Sequence, residues 1–176
     1  CEQALTEEAT LRVIHFLLLV PNGIAAMSMD IPGLVQTSCN LGIFHVEDGV
    51  LTAVSSVRSS VSSQKQMLLV RIDALAQLLG GSLHVTGAYP AWEYREDSPL
   101  RDLMVKIFKQ QYGKEPVIQA LHAGVECGIF ASKLPGLDCV SFGPDMDDIH
   151  TTNESMNVES VRRTWKYTLK ILKELK

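Results

Sequence analysis

Several features that define large classes of proteins are missing from this sequence of 176 residues. Lys and Arg together number 16 against 20 for Asp and Glu, so no cationic surplus is available to neutralise the phosphates of a nucleic acid. The most apolar run, 13–20, is far shorter than the roughly 20 residues that cross a bilayer, and no basic stretch precedes it as in a signal peptide. We therefore expect neither nucleic acid nor a membrane as a partner.

Cysteine is scarce, and none of the four cysteines belongs to a C-x-x-C pair. That spacing is typical of structural zinc sites and redox motifs, so its absence favours reduced thiols and a cytoplasmic protein. Cys127 has apolar neighbours and no base close to it in sequence, which favours a structural role over a nucleophilic one. The sequence also begins at Cys1 without an initiator methionine, and we expect it to be a fragment of a longer protein.

What is present fits a folded globular protein, with 46% hydrophobic and 20% charged residues. The length allows one domain of ordinary size or two small lobes. The predicted fold class is α/β (α+β): a two-layer lobe with an antiparallel sheet, followed by a βαβ part. The stretch 87–92 contains Pro90, which cannot donate to a sheet ladder, and we predict that the chain crosses between the lobes there.

The first half, up to residue 89, has the pattern helix–strand–strand–strand–helix–strand. Thr6 precedes two glutamates as a helix cap would, and Asp48-Gly49 is a strong hairpin signal between two alternating runs. We expect both helices to lie on one face of the sheet. The predicted elements are a helix at 7–20, strands at 23–29, 37–46 and 50–59, a helix at 62–79 and a strand at 82–89.

The second half, from residue 90, predicts a βαβ unit between two longer helices. Ser98-Pro99 is an N-cap followed by proline at the first helical position, and Gly113 ends that helix. Short apolar runs at 117–121 and 138–142 suit buried strands, with a helix between them from about 125 to 133. A last helix starts near Asn157, and its predicted buried side consists of Val158, Val161, Trp165, Leu169 and Leu172.

Three polar positions are not explained by these periodicities. His150 lies in a long loop that leaves the end of a predicted strand, where α/β sheets build their sites, and imidazole is a common metal ligand. The turn at Gly124 offers backbone N–H groups to an anion, and Arg58 ends a strand with a guanidinium suited to gripping a carboxylate. Each also has a structural interpretation: an exposed loop histidine, a local cap, and an arginine extending into water.

Five blocks of sequence, in this order, resemble the C-terminal part of bacterial aminoacyl-histidine dipeptidases. They are DIPGLVQTSCNLG at 30–42, VRSS at 57–60, GAYPAW at 87–92, HAGVECG at 122–128 and SFGP at 141–144. These Xaa-His dipeptidases are cytosolic dizinc exopeptidases related to carnosinase and the aminoacylases. The resemblance extends over nearly the whole chain, and several blocks in sequence are far more specific than any one of them.

The resemblance implies a lid domain inserted in a catalytic domain, with 1–89 as the later part of the lid and 90–176 as the C-terminal part of the zinc peptidase domain. By position, His150 is implied as a zinc ligand. Arg58 is implied to grip the C-terminal carboxylate of the substrate, Asn40 to line the substrate site, and the Gly124 turn to help hold the same substrate end.

For the intact enzyme the resemblance implies hydrolysis of Xaa-His and related dipeptides with two zinc ions. The family's His-x-Asp motif, its paired glutamates and its lid histidine have no counterpart here, so we expect no catalytic residue in this fragment and no activity from the fragment alone. Alternatives are a deacylase of N-acyl amino acids from the same superfamily, or a non-catalytic binding or dimerisation lobe. A homodimer is a further open alternative, since exposed sheet edges associate.

Overall fold

The computed structural model describes residues 4–120 and 126–176. Contacts divide the chain into two compact units: the first is Cys1–Tyr94 with Ala120–Ser132, and the second is Arg95–Gln119 with Lys133–Lys176. The lid and catalytic assignments for 1–89 and 90–176 stay predictions. The described elements are α1 (Glu7–Leu19), β1 (Gly23–Met27), β2 (Val35–Glu47), β3 (Val50–Ser59), α2 (Ser62–Leu78), α3 (Pro99–Tyr112), α4 (Glu126–Lys133), β4 (Met146–Asp147), β5 (Ser155–Met156) and α5 (Val158–Glu174).

Three helices begin at the caps that the sequence predicts. The side chains of Thr6, Ser98 and Asn157 each accept a hydrogen bond from the backbone N–H three residues further on, at 3.2, 3.2 and 2.9 Å. Gly113 ends α3 with a φ of 66°, a left-handed conformation that glycine adopts without steric cost. These helix starts and this helix end are confirmed. Each depends on contacts within one turn of the chain, so a local pattern is enough to predict it.

The sheet of the first unit is antiparallel, in the order β1-β2-β3. Asp48 and Gly49 join β2 to β3 with φ values of 50° and 75°, as a two-residue hairpin turn requires. The register shifts between Leu41 and Ile43, so Gly42 is an extra residue on β2, a β-bulge. The predicted hairpin is confirmed.

Both helices of the first half pack on one face of this sheet, as predicted. Phe16 of α1 and Leu75 of α2 form a cluster with Leu41, Leu51 and Ala53 of the strands. A second cluster joins Leu68 and Ile72 of α2 to Cys39 and Val57. We call this covered side of the sheet the inner face and the opposite side the outer face. Burial raises the pKa of the Cys39 thiol, so this cysteine is a core residue.

The segment that follows α2 is attached to that helix. Glu93 Oε1 accepts a hydrogen bond from Ser62 N at 3.0 Å, which satisfies a donor at the start of α2 where Val61 offers no side-chain cap. Lys65 Nζ donates to the carbonyl oxygen of Tyr89 and lies 5.2 Å from the centre of its ring. Residues 89–93 are thereby anchored at both ends.

The second unit is built on α3 and α5. Met104, Ile107, Tyr167 and Ile171 are its buried core, and the Tyr167 hydroxyl donates to the carbonyl oxygen of Met104 at 2.7 Å. Phe108 and Phe142 contact the Tyr167 ring edge to face at 5.7 and 5.5 Å between centroids. No described helix combines the length and the apolarity that a membrane span needs.

Asp138 holds the start of α3. Its carboxylate accepts from Ser98 Oγ at 2.7 Å and from Leu100 N at 2.9 Å. Desolvation alone would raise the pKa of Asp138, but these bonds and the charges of Arg95 and Arg101 together outweigh it and lower the pKa. A helix N-terminus and its N-cap are thus tied to a residue 40 positions away.

Three predicted strands are wrong for the described residues. The runs 82–89, 117–120 and 138–142 form no ladder with another strand, although their apolar composition is typical of strands. A strand requires a neighbouring strand to accept and donate its backbone hydrogen bonds, and no described strand pairs with these runs. The fold class itself, a mixed α/β chain with an antiparallel sheet and helices, is confirmed.

The predicted orientation of the last helix is also wrong. The face of α5 that packs in the core carries Ser160, Tyr167 and Ile171. Four of the five residues predicted as the buried side are exposed, with Val158 63% and Trp165 61% exposed, and Val161 is half-buried. Periodicity correctly located a helix with two faces, but which face is covered depends on the neighbouring element, here α3.

Candidate substrate-binding face and metal-ligand loop

Asn40 and Arg58 lie on the outer face of the sheet. Burial alternates along β3, where Ser55, Val57 and Ser59 are inward and Ser56 and Arg58 are exposed. The same alternation on β2 buries Thr37 and Cys39 and leaves Asn40 exposed. The two candidate substrate-binding residues therefore share a surface that neither α1 nor α2 covers.

The strand register places these residues next to each other. Ser38 is directly opposite Arg58, and Asn40 is directly opposite Ser56. Asn40 and Arg58 are thus diagonal neighbours, and such pairs are roughly 7–8 Å apart on one face of a sheet, within reach of a long side chain. The result is a patch of four polar side chains with one fixed positive charge, suited to a carboxylate and a peptide group.

A chain of hydrogen bonds lies under Arg58 on the inner face. Thr37 Oγ1 donates to Gln64 Oε1 at 2.7 Å and lies 2.9 Å from Ser59 Oγ, while Val61 N donates to Ser59 Oγ at 3.0 Å. The Ser59 hydroxyl also donates to the carbonyl oxygen of Val61 at 2.9 Å, and either hydroxyl can be the donor between Ser59 and Thr37. The chain runs from Val61 through Ser59 and Thr37 to Gln64.

His150 lies in the loop between β4 and β5, in the second compact unit, and is exposed. Its φ of 68° is left-handed, and Asp148 in the same loop has a φ of 49°. Glu154 Oε2 accepts from His150 N at 2.8 Å, and the Thr151 hydroxyl donates to the carbonyl oxygen of Asp148 at 2.7 Å. These bonds hold the loop backbone and do not involve the imidazole ring of His150.

Gly124, predicted to help hold the substrate, lies outside the described residues, so its role stays a prediction. Helix α4, which begins at Glu126, is described, and Gly128 is buried within it. A Cβ at Gly128 would lie 3.0 Å from the carbonyl oxygen of Pro90 and 3.4 Å from Cβ of Trp92. This helix therefore packs closely on the anchored segment 89–93.

The described residues do not fit a complete zinc site. Within 4–120 and 126–176 there is no group of three or more His, Cys, Asp or Glu side chains placed to hold a metal ion. Zinc sites in proteins use at least three protein ligands, so His150 could supply only one of them. The role predicted for His150 stays a prediction.

Sequence reasoning found Asn40 and Arg58 separately but missed their common surroundings. Ser38 and Ser56 complete the outer polar patch, and Thr37, Ser59 and Gln64 form the chain beneath it. The period-2 alternation of both strands predicts which of their residues share the outer face. The pairing of the strands was not available from that alternation, because register also depends on the bulge at Gly42.

Known proteins resemble this chain in sequence and in structure. It is 34% identical over 162 residues to the cytosol non-specific dipeptidase of Escherichia coli, covering 92% of this chain and 33% of the relative. The crystal structure of aminoacylhistidine dipeptidase from Vibrio alginolyticus superimposes with a TM-score of 0.86 at 31% identity, over 96% of this chain and 34% of that chain. The chain spans about a third of the length of these relatives.

Aminopeptidase PepT from Bacillus cereus shares the fold, with a TM-score of 0.70 at 18% identity over 92% of this chain and 44% of that one. The fold is thus one found in dipeptidases and aminopeptidases. The family model for peptidase family M20/M25/M40 matches residues 13–174. The chain belongs to that family.

Proposed function

We propose that this chain is the substrate-anchoring part of a metal-dependent dipeptidase that hydrolyses Xaa-His and related dipeptides. We call the full-length protein that carries this sequence the parent enzyme. The proposal is supported by the peptidase family and by dipeptidase relatives of which the chain spans a third. By analogy with the relative named for the cytosol, the parent enzyme is cytoplasmic.

The observation that carries the proposal is the shared position of Asn40 and Arg58 on the outer face. A guanidinium binds a carboxylate through two parallel hydrogen bonds, and the Asn40 amide can donate to or accept from a peptide group beside it. Only a substrate with a free C-terminal carboxylate close to the scissile bond satisfies both side chains. An internal peptide bond of a protein brings no carboxylate to Arg58, which explains a preference for dipeptides.

Zinc is the metal that the family resemblance implies, and we propose that His150 supplies one ligand in the parent enzyme. The remaining ligands and the general base would come from residues outside this chain. The left-handed φ of His150 supports the proposal, because strained backbone that the surrounding bonds hold in place is common at functional sites. Because the other ligands and the general base would lie outside this chain, we expect the 176-residue chain alone to have no dipeptidase activity.

The decisive experiment replaces Arg58 with Ala in the parent enzyme and compares a dipeptide with its C-terminal amide. Truncating one partner of a hydrogen-bonded charge pair costs roughly 2–5 kcal/mol, so kcat/KM for the free acid should fall about 30-fold to several thousand-fold. The wild type should prefer the acid, and the Arg58→Ala variant should lose most of that preference. Arg58→Lys should recover little, since an ammonium group has no planar fork.

The control is Arg71→Ala, which removes an exposed arginine from α2 in the same compact unit. Its ratio of acid to amide hydrolysis should equal that of the wild type. An unchanged ratio in Arg58→Ala would show that the carboxylate is bound elsewhere. Testing N-acyl amino acids in the same assay separates a dipeptidase from a deacylase, because both classes carry the carboxylate and differ only in the group removed.

A further inference from the structure

Arg58 occupies a position where an isolated strand would be mobile. It is the second-last residue of β3, and β3 is an edge strand of the described sheet, bonded only to β2. Strand ends with a single neighbour open easily, because few backbone hydrogen bonds hold them. A guanidinium on such an end would bind a carboxylate poorly, since its own backbone would have to be ordered first.

The hydrogen-bond chain under Arg58 removes this mobility. Thr37 and Ser59 are paired across the two strands, one position before Ser38 and one position after Arg58. Thr37 is 0% exposed and Ser59 is 8% exposed, so neither hydroxyl can exchange its partner for water. Val61 and Gln64 at the start of α2 close the chain at its two ends.

The two hydroxyls have several partners each. Ser59 Oγ accepts from Val61 N and donates to the carbonyl oxygen of Val61, and the Thr37 hydroxyl joins Ser59 to Gln64 Oε1. Removing the Thr37 hydroxyl takes away the partner that Ser59 and Gln64 share. Because side chains alternate along a strand, holding Ser59 inward directs Arg58 outward.

We propose that Thr37, Ser59 and Gln64 are positioning residues for Arg58. They link the strand end that carries Arg58 to the first turn of α2 and to β2, and they do so without contacting the substrate. This inference rests on the proposed function for its consequence in catalysis. Its structural component, the ordering of Arg58, can be measured in the 176-residue chain without any activity.

The first test is an NMR relaxation measurement on the 176-residue chain. Thr37→Val keeps the shape of the side chain and removes the hydroxyl, and Thr37→Ser keeps the hydroxyl. The backbone order parameter of Arg58 should be about 0.85 in the wild type and in Thr37→Ser, and should fall below about 0.6 in Thr37→Val. The hairpin end of the same strand, at Thr52, should not change. Ser59→Ala breaks the chain at its middle and serves if Thr37→Val does not fold.

The second test is kinetic and uses the parent enzyme. Thr37→Val should raise KM for a free dipeptide by up to about 100-fold with a much smaller change in kcat, and should weaken the preference for acid over amide. Ile72→Val is the matched control, because it trims the inner core beside Cys39 without touching the hydrogen-bond chain. Thr37→Ser should restore KM.

The outcomes distinguish this inference from the proposed function. If Thr37→Val and Ile72→Val have the same order parameter and the same KM, the hydroxyl chain is only structural and the inference is wrong. If Arg58→Ala leaves the acid preference unchanged while Thr37→Val still disorders Arg58, the positioning is real and the assignment of Arg58 to the carboxylate fails. If Arg58→Ala loses the preference for the acid and Thr37→Val keeps it, Arg58 binds the carboxylate and the positioning inference is wrong.

Discussion

Asp138 is the residue whose replacement tests most directly how the second unit is held together. Its carboxylate accepts two hydrogen bonds at the start of α3, from Ser98 Oγ at 2.7 Å and Leu100 N at 2.9 Å. A hydrogen bond to a charged group contributes about 1.5–3 kcal/mol, and the lower end applies because the side chain is half-buried. Asp138→Asn keeps one oxygen acceptor and loses the charge at the helix N-terminus, so we expect a cost of about 1–2 kcal/mol.

The pH dependence of this cost follows from the lowered pKa of Asp138. A carboxyl group whose pKa is lower in the folded than in the unfolded state stabilises the fold above its unfolded pKa, about 3.9 for Asp. That contribution is lost as the pH falls through the folded pKa. The difference between wild type and Asp138→Asn should therefore be constant between about pH 5 and 8 and should shrink below about pH 4.

Hydrogen exchange of the amides of α3 is the appropriate measurement, since it reports on this unit separately. Their protection should fall about 5- to 30-fold in Asp138→Asn. Asp102→Asn is the control, because Asp102 is also an aspartate in the first turn of α3 but is exposed. It should change stability by less than about 0.5 kcal/mol. Equal losses in the two variants would refute the argument, as would a difference that grows on acidification.

Three further predictions follow from the packing and the loop geometry. Gly128→Ala should destabilise the chain by about 1 kcal/mol in urea unfolding, because its Cβ would lie 3.0 Å from the anchored carbonyl oxygen of Pro90. A gain in stability would mean that the Pro90 backbone moves aside to make room. Trp165→Lys should lower the free energy of unfolding by less than about 0.5 kcal/mol, because the Trp165 side chain is exposed. Tyr167→Phe should lower it by about 1 kcal/mol, because the Tyr167 hydroxyl donates a buried hydrogen bond. The opposite order would contradict the orientation of α5. His150→Gly in the parent enzyme should lower the zinc content measured by mass spectrometry. Asp148→Gly is the control, because Asp148 also has a left-handed φ in the same loop and glycine adopts that conformation; this variant should keep its zinc. Full zinc in both variants would rule His150 out as a ligand.

Features that depend on neighbours within a few residues could be predicted from local sequence signals. Thr6, Ser98 and Asn157 mark helix starts because their side chains reach the N–H three residues further on. Asp48-Gly49 marks the hairpin because both residues tolerate a positive φ. Such signals are independent of the rest of the molecule, so they survive into the structure unchanged. Family resemblance likewise selected Arg58 and Asn40 by motif.

Which surfaces meet depends on contacts between elements that are distant in sequence. The apolar runs 117–120 and 138–142 look like buried strands, but a ladder needs a partner that the run itself does not specify. Both faces of α5 carry apolar side chains, and contact with α3 selected the one with Tyr167 and Ile171. The register that makes Arg58 and Asn40 neighbours, and the hydroxyl chain beneath them, join residues up to 27 positions apart. Long-range contacts of this kind are set by how whole elements fit together, and no local pattern encodes them.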